Sequence, residues 1–299
     1  MVGVVFSRDR AMQLDALLRS FLHRCTDSSF AELHVLYATS SPRDARQYAA
    51  LEKFWQARLP VTFHAERAFR ADLLHVLAIP ESTAGRSGAS RRDLVLFVVD
   101  DNLFVRPFSL EQAGAALRRH RRAIGFSLRL GRNTTRSYPL DAAQSLPPFT
   151  PVEPGVLAFD WTRAEADFGY PLELSSSIYR ARTVAGLLSS EDFTNPNTLE
   201  LFMATAATGF RGKTRERQLL CFEQSVAFCN AVNRVQTTYP NRAGDSPSMS
   251  AAALADAFDA GLRIDVDALS DFTPGACHEE VPFCLAKDLA APGSAQRGG

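Results

Sequence analysis

At 299 residues, with 46% hydrophobic and 22% charged residues, the chain is long enough for one large α/β domain around a well-buried core. Lys+Arg and Asp+Glu both total 33, so there is no bulk basic field to hold nucleic acid and no acidic excess to keep the chain unfolded. Five widely spaced cysteines without a C-x-x-C pair argue against a disulfide framework or a zinc ribbon and fit a reducing compartment.

The opening MVGVVFSRDR reads as a short apolar strand followed at once by charges, not as a signal peptide. No stretch reaches the ~18 apolar residues that span a bilayer, so the expectation is a cytoplasmic protein, at most peripheral to a membrane. Residues 1–130 alternate strand-like and helix-like segments. The order is strand Val2–Ser7, helix Arg10–His23, strand Leu33–Ala38, helix Pro42–Arg58, strand Val61–Ala65 and helix Phe69–Ile79. Glu81–Arg92, rich in Gly, Ser and Arg, reads as a connector. Leu94–Val99 is a continuous apolar run suited to a central strand buried on both faces. A helix Leu110–Arg122 and a strand Ile124–Leu130 follow.

From Thr134 to Pro154 five prolines make the chain loop-like, and Val156–Trp161 rejoins the sheet as a strand. Helices are expected around Thr183–Leu188, Thr198–Thr208 and Ser250–Ala260, with a frayed tail from Ala290. This is one domain with two functional halves, 1–130 and 131–289, and a tail 290–299. The alternation predicts an α/β fold with a mostly parallel central sheet flanked by helices.

The strand Leu94–Val99 delivers Asp100, Asp101 and Asn102 at its carboxyl end, where open α/β sheets bind ligands. Two adjacent carboxylates there are costly unless a cation neutralises them. A hard divalent ion, Mn²⁺ or Mg²⁺, that also bridges a pyrophosphate would do so. The plainer alternative is a solvated strand end, since Asp and Asn are common turn formers. No G-x-G-x-x-G follows the first strand, and no G-x-x-x-x-G-K-[ST] occurs, which argues against a dinucleotide oxidoreductase and a P-loop kinase.

VVFSRDRAMQLDALLRSF, together with the apolar strand ending in Asp100-Asp101-Asn102, resembles the Rossmann-like GT-A fold of nucleotide-sugar-dependent glycosyltransferases, of the family-2 type. The likeness covers roughly residues 1–210. It implies that Asp100 and Asn102 match the ends of the D-x-D motif that holds metal and donor diphosphate, with Asn102 departing from the usual Asp and Asp101 able to serve instead. It further implies that Phe6, Ser7, Arg8, Asp9 and Arg10 face the nucleotide, with Tyr37, Thr39 and Ser40 beside them. Asp9 also fits a helix N-cap.

The resemblance also implies a base within SSSIYRARTVAGLLSSEDFTNPNTLE. Glu200, on a helix that Asn197 is expected to cap, is the first choice, and Asp192 of the Glu191-Asp192 pair the second. A late histidine, His278, is a candidate metal ligand. Asp160, Arg129, Arg132 and the aromatic residues Phe168, Tyr170 and Tyr179 are further candidates, each with an ordinary structural role as the alternative. The implied activity is metal-dependent transfer of a hexosyl group, with inversion, from a nucleotide-sugar (UDP-linked by family precedent) to a glycan, lipid-linked or small-molecule hydroxyl. A sugar-phosphate nucleotidyltransferase and a degenerate nucleotide-sugar-binding protein are the competing readings. The first usually opens with a glycine-rich basic loop that FSRDRAMQ lacks, whereas Asn102 favours the second.

Overall fold

The structure is a computed structural model that describes residues 1–79, 93–189, 192–211, 214–270 and 272–287. The connector 81–92, Glu191 and the tail 290–299 lie outside the described residues. The first half runs β1 (Val2–Arg8), α1 (Ala11–Arg24), β2 (Glu32–Ala38), α2 (Pro42–Trp55), β3 (Val61–Ala65), α3 (Phe69–Val76), β4 (Leu94–Val99), β5 (Asn102–Phe104), α4 (Leu110–Arg119) and β6 (Ala123–Ser127). The second half runs β7 (Arg136–Ser137), β8 (Ala142–Ala143), β9 (Thr150–Glu153), β10 (Val156–Asp160), β11 (Ser177–Arg180), α5 (Ala181–Leu188), α6 (Pro196–Phe210), β12 (Gln218–Phe222), β13 (Ala227–Asn230), α7 (Ala251–Asp259), β14 (Leu262–Ile264), β15 (His278–Glu279) and β16 (Leu285–Lys287).

Among the described residues the main sheet has nine strands in the order β3-β2-β1-β4-β11-β6-β12-β10-β9. The four strands β3-β2-β1-β4 are parallel, as expected of an alternating β/α sequence. The other half keeps the sheet mostly parallel but brings in two strands of opposite sense. β11 runs antiparallel to both β4 and β6, and β10 runs antiparallel to both β12 and β9. Strands from residues 123–222 therefore continue the same sheet that residues 2–99 begin.

Both faces of the central strands are covered, which is why β4 is apolar throughout. Leu94, Leu96 and Val98 belong to one core with α1, α2 and α4, whereas Val95 and Phe97 belong to a second core with α3, α5 and α6. Local signals start the helices. Ser41 caps α2 by accepting from the Asp44 backbone amide at 3.2 Å, with Pro42 in the first turn. The buried face of α2 is Tyr48, Leu51 and Trp55, at helical spacing. Buried Asp15 ties α1 to α2: it accepts from Arg19 Nε of its own helix at 2.6 Å and from the Trp55 indole of α2 at 2.9 Å. No helix among the described residues is long and apolar enough to cross a membrane.

The junction between the halves depends on one close approach. A Cβ on Gly125 of β6 would lie 2.6 Å from the ring of Tyr179 on β11 and 3.1 Å from the Ile178 carbonyl oxygen. Tyr179 is fully buried, and its hydroxyl donates to the carbonyls of Pro171 at 2.9 Å and Glu173 at 2.7 Å. Glycine at 125 thus lets the tyrosine ring cross β6 and hold the backbone that carries Glu173. Gly125→Ala should cost about 1–3 kcal/mol by overpacking, read as a lower denaturant midpoint. A variant as stable as the parent would show that the ring has room to move.

Candidate functional site

A cleft of about 720 Å³ opens along the carboxyl ends of the central strands, within the roughly 300–1,000 Å³ typical of small-molecule sites. Its first wall is built from Phe6, Ser7 and Arg8 at the end of β1, Arg10, Leu36 and Ala38 of β2, Glu66, and Asp100-Asp101. Strand alternation sorts the β2 residues. Leu36 and Ala38 line the cleft, whereas Tyr37 points the other way and stacks on Tyr48 of α2 with ring centroids 4.6 Å apart. Tyr37 and Thr39, expected at the nucleotide, therefore do not line it.

Asp9 is neither in the cleft nor a helix cap. It sits at φ 52°, a left-handed conformation that aspartate tolerates. Its carboxylate accepts from the Ser40 backbone amide at 2.6 Å and the Ser40 hydroxyl at 2.7 Å, joining the β1 and β2 turns. Arg10 occupies the cap position of α1, without a side-chain cap.

Asp100 and Asn102 are buried and Asp101 is nearly so. Asp100 Oδ2 accepts from the Ser7 hydroxyl at 2.9 Å and the Arg8 amide at 3.1 Å. Arg10 Nη1 lies 3.0 Å from Asp100 Oδ1 and 3.3 Å from Asp101 Oδ2, bridging the two carboxylates. Burial pulls the Arg10 pKa down, but the two aspartates outweigh it and hold the guanidinium charged, with a pKa above the ordinary arginine value. Asn102 corrects the expectation of a metal ligand. Its amide is turned into the core, donating to Ser176 Oγ and Cys229 Sγ at 3.4 Å each while its carbonyl accepts from the Val99 amide at 3.2 Å. Tyr48, read in the sequence as part of an apolar helix face, proves to support this wall. Its hydroxyl hydrogen-bonds Ser7 Oγ and accepts from the Arg10 amide at 3.2 Å.

The second wall holds a second pair of carboxylates, Glu173 and Glu200. Glu200 is half-buried on α6 and accepts from the Leu174 amide at 3.2 Å and the Tyr170 hydroxyl at 3.3 Å. Burial, then the like charge of Glu173, push its carboxyl above the usual range. The cap of α6 is Asn195 rather than the expected Asn197: Pro196 takes the first helical position, and Asn195 and Thr198 form a capping box. Glu173 was missed because it precedes β11 in a segment without periodicity. Ser175 N and Ser177 Oγ donate to it, and Arg129 Nη2 pairs with it at 2.8 Å. Asp192, the second choice of base, is fully exposed, lies outside the cleft and faces Arg70 at 3.8 Å.

Arg129 is buried, not an exposed loop arginine, because Glu173, Cys229 of β13 and His278 of β15 surround its guanidinium. Its Nη1 also donates to Cys229 Sγ and to His278 Nε2, each at 3.3 Å. His278 lines the cleft, but that ring nitrogen already accepts from a guanidinium and so is not free for a metal. Asp160 caps the turn at 161–163 and pairs with Arg217, Arg132 faces Glu223 and stacks over Phe149, and Phe168 is core. Tyr170 lines the cleft. Among the described residues no group of three or more His, Cys, Asp or Glu side chains is disposed to hold a metal ion. Asp100 and Asp101, the acids expected to hold Mn²⁺ or Mg²⁺, both face the Arg10 guanidinium.

Burial, reinforced by Arg129, pushes the His278 imidazole down to about 3. The folded pKa lies below the unfolded value of about 6.5, so below that pH the unfolded chain binds a proton the native state refuses, and stability falls as pH falls. His278→Asn should flatten the acid side of the stability profile. Nitrogen-15 spectra should show His278 neutral from about pH 8 to 5; a titration in that window would contradict the buried pairing with Arg129.

No family model matches the chain. The bifunctional glycosyltransferase pgtA of Dictyostelium discoideum is 23% identical over 263 residues, covering 80% of this chain and 32% of that protein. The chain thus spans about a third of that relative's length. Among solved structures, S. aureus TarS matches with a TM-score of 0.46 and 13% identity over 77% of this chain and 37% of that one. TarS 1–349 in complex with UDP-GlcNAc matches with a TM-score of 0.43 and 12% identity over 79% and 60%. Likenesses this loose carry no argument about the site. Over four fifths of its length, the chain is similar in sequence to part of a bifunctional glycosyltransferase.

Proposed function

We propose that the chain is a glycosyltransferase that moves a sugar from a nucleoside diphosphate, UDP by the family resemblance, to an acceptor hydroxyl with inversion. The observation that carries this is the sharing of one cleft by the β1–β4 strand ends and the Glu173–Glu200 pair. The first wall has apolar and aromatic side chains (Phe6, Leu36) for a base and the exposed Arg8 for phosphates, and Arg234 of the 231–243 segment is exposed in the same cleft. The second wall has a carboxylate held by two long hydrogen bonds, and so free to accept a proton.

In this reading Glu200 takes the acceptor's hydroxyl proton as the hydroxyl oxygen attacks the anomeric carbon. The bond from that carbon to the diphosphate oxygen breaks, and the diphosphate leaves with the electron pair. A base with a raised pKa is better matched to an alcohol proton, and burial, followed by the Glu173 charge, supplies that shift. Glu173 is in turn paired with Arg129 at 2.8 Å. The acceptor is a glycan, lipid-linked or small-molecule hydroxyl compound.

Purified protein should release free nucleotide from one member of a nucleotide-sugar panel, faster with acceptor present. Glu200→Gln keeps the shape and should lower kcat at least ~10²-fold with donor affinity nearly unchanged. Asp192→Asn should match the parent. Because the ionised form of Glu200 is the working one, kcat should fall as pH drops through its raised pKa. Glu173→Gln removes the like charge, so that acid limb should move to lower pH. Full activity in Glu200→Gln would remove the base from the mechanism.

A further inference from the structure

We propose that Arg10 is the built-in counter-cation of the Asp100–Asp101 pair, so that the cleft takes its nucleoside diphosphate without a divalent metal ion. The second clause rests on the donor reading above; the first stands on the geometry alone. Two carboxylates at a buried strand end demand positive charge, and here one nitrogen of Arg10 lies within 3.0 and 3.3 Å of both. Arg10 is itself only 8% exposed, so its charge is not shared out to solvent.

The remaining capacity of the acids is mostly spent. Asp100 accepts from Ser7, Arg8 and Arg10, leaving Asp101 Oδ1 as the carboxylate oxygen there without a hydrogen-bond partner. Mg²⁺ and Mn²⁺ seek a set of oxygen ligands, and a divalent ion on Asp101 would share that carboxylate with a guanidinium. Asn102, which could have restored a third oxygen, is bonded into the core and adds no charge.

Arg10 is also locked in place. Its Nη2 donates to the Asn233 carbonyl at 2.7 Å, and the Asn233 side chain is held by Gln13 at 3.2 Å and by the Met249 carbonyl at 2.6 Å. The guanidinium therefore ties both strand ends to the 231–243 segment, which forms a lip of the cleft and where Arg234 is exposed. A bridging metal commonly joins a strand-end acid to the phosphates; here Arg10 joins the acids to the lip and leaves the phosphates to Arg8 and Arg234.

The test uses Mn²⁺ alone, followed by paramagnetic resonance, and UDP, followed by calorimetry. The wild type should show no saturable Mn²⁺ site below about 1 mM. A saturable site that Asp101→Asn removes would overturn the proposal. Arg10→Met unmasks the acids and should gain saturable Mn²⁺ binding, with Mn²⁺ raising its Tm but not that of the wild type. A folded Arg10→Met without that gain also overturns it, and if this variant does not fold, the wild-type titration still decides. UDP should bind as tightly in EDTA as in Mn²⁺, and tightening of about tenfold or more by Mn²⁺ would overturn the metal-free clause. UDP binding in neither condition would remove the donor reading, and with it that clause, while the Mn²⁺ titrations still judge Arg10.

Discussion

The triad of Asp100, Arg10 and Asp101 is the constraint around which the first half is arranged. A charge that leaves water must be paired, and losing one member of such a set typically costs about 3–5 kcal/mol. The pairing requires β1 and β4 to be neighbours in register, which places Phe6 opposite Val99 and lets the Asp100 amide donate to the Phe6 carbonyl at 3.0 Å. It also requires α1 to begin at once after β1, so that Arg10 folds back over the strand ends. Tyr48 of α2, bonded to Ser7 and to the Arg10 amide, makes the placement of that turn depend on α2 as well.

The cleft repeats one theme at its two walls with different results. Each wall has two carboxylates and one buried arginine. Arg10 bridges both of its acids, at 3.0 and 3.3 Å. Arg129 pairs at 2.8 Å with Glu173 alone, its other amino group being taken by Cys229 and His278. Glu200 is thereby left with neutral donors at 3.2 and 3.3 Å and a like charge nearby. The bridged pair suits scaffolding and ligand orientation, and the carboxylate without a cation suits proton transfer. Environment, not residue type, separates the roles.

The second wall depends on the mixed half of the sheet. β11 enters between β4 and β6 in the antiparallel sense, so the chain preceding it, which carries Glu173, arrives at the same sheet edge where the parallel strands end. Tyr179, crossing Gly125, secures that arrival with two hydrogen bonds to the backbone. The capping box at Asn195 then starts α6 so that Glu200 faces the cleft.

The sequence by itself determined the local elements and the acids at the end of β4. The apolar run Leu94–Val99 has one sensible place, the middle of a two-sided sheet, and chain order put Asp100 and Asp101 at its carboxyl end. Helix periodicity placed α1, α2 and α4 to within a few residues, because that signal is carried by neighbours along the chain. Pairings between distant residues were decided only by the tertiary structure. That the cation between the acids is Arg10, that Asn102 turns inward, and that Asp9 bonds Ser40 all follow from side-chain directions across adjacent strands. The strand β11 was unreadable because Ser177–Arg180 is short and its partners lie about 50 to 85 residues away. Glu173 joined Glu200 for the same reason: burial and opposing charge act through space, and spacing along the chain does not encode them.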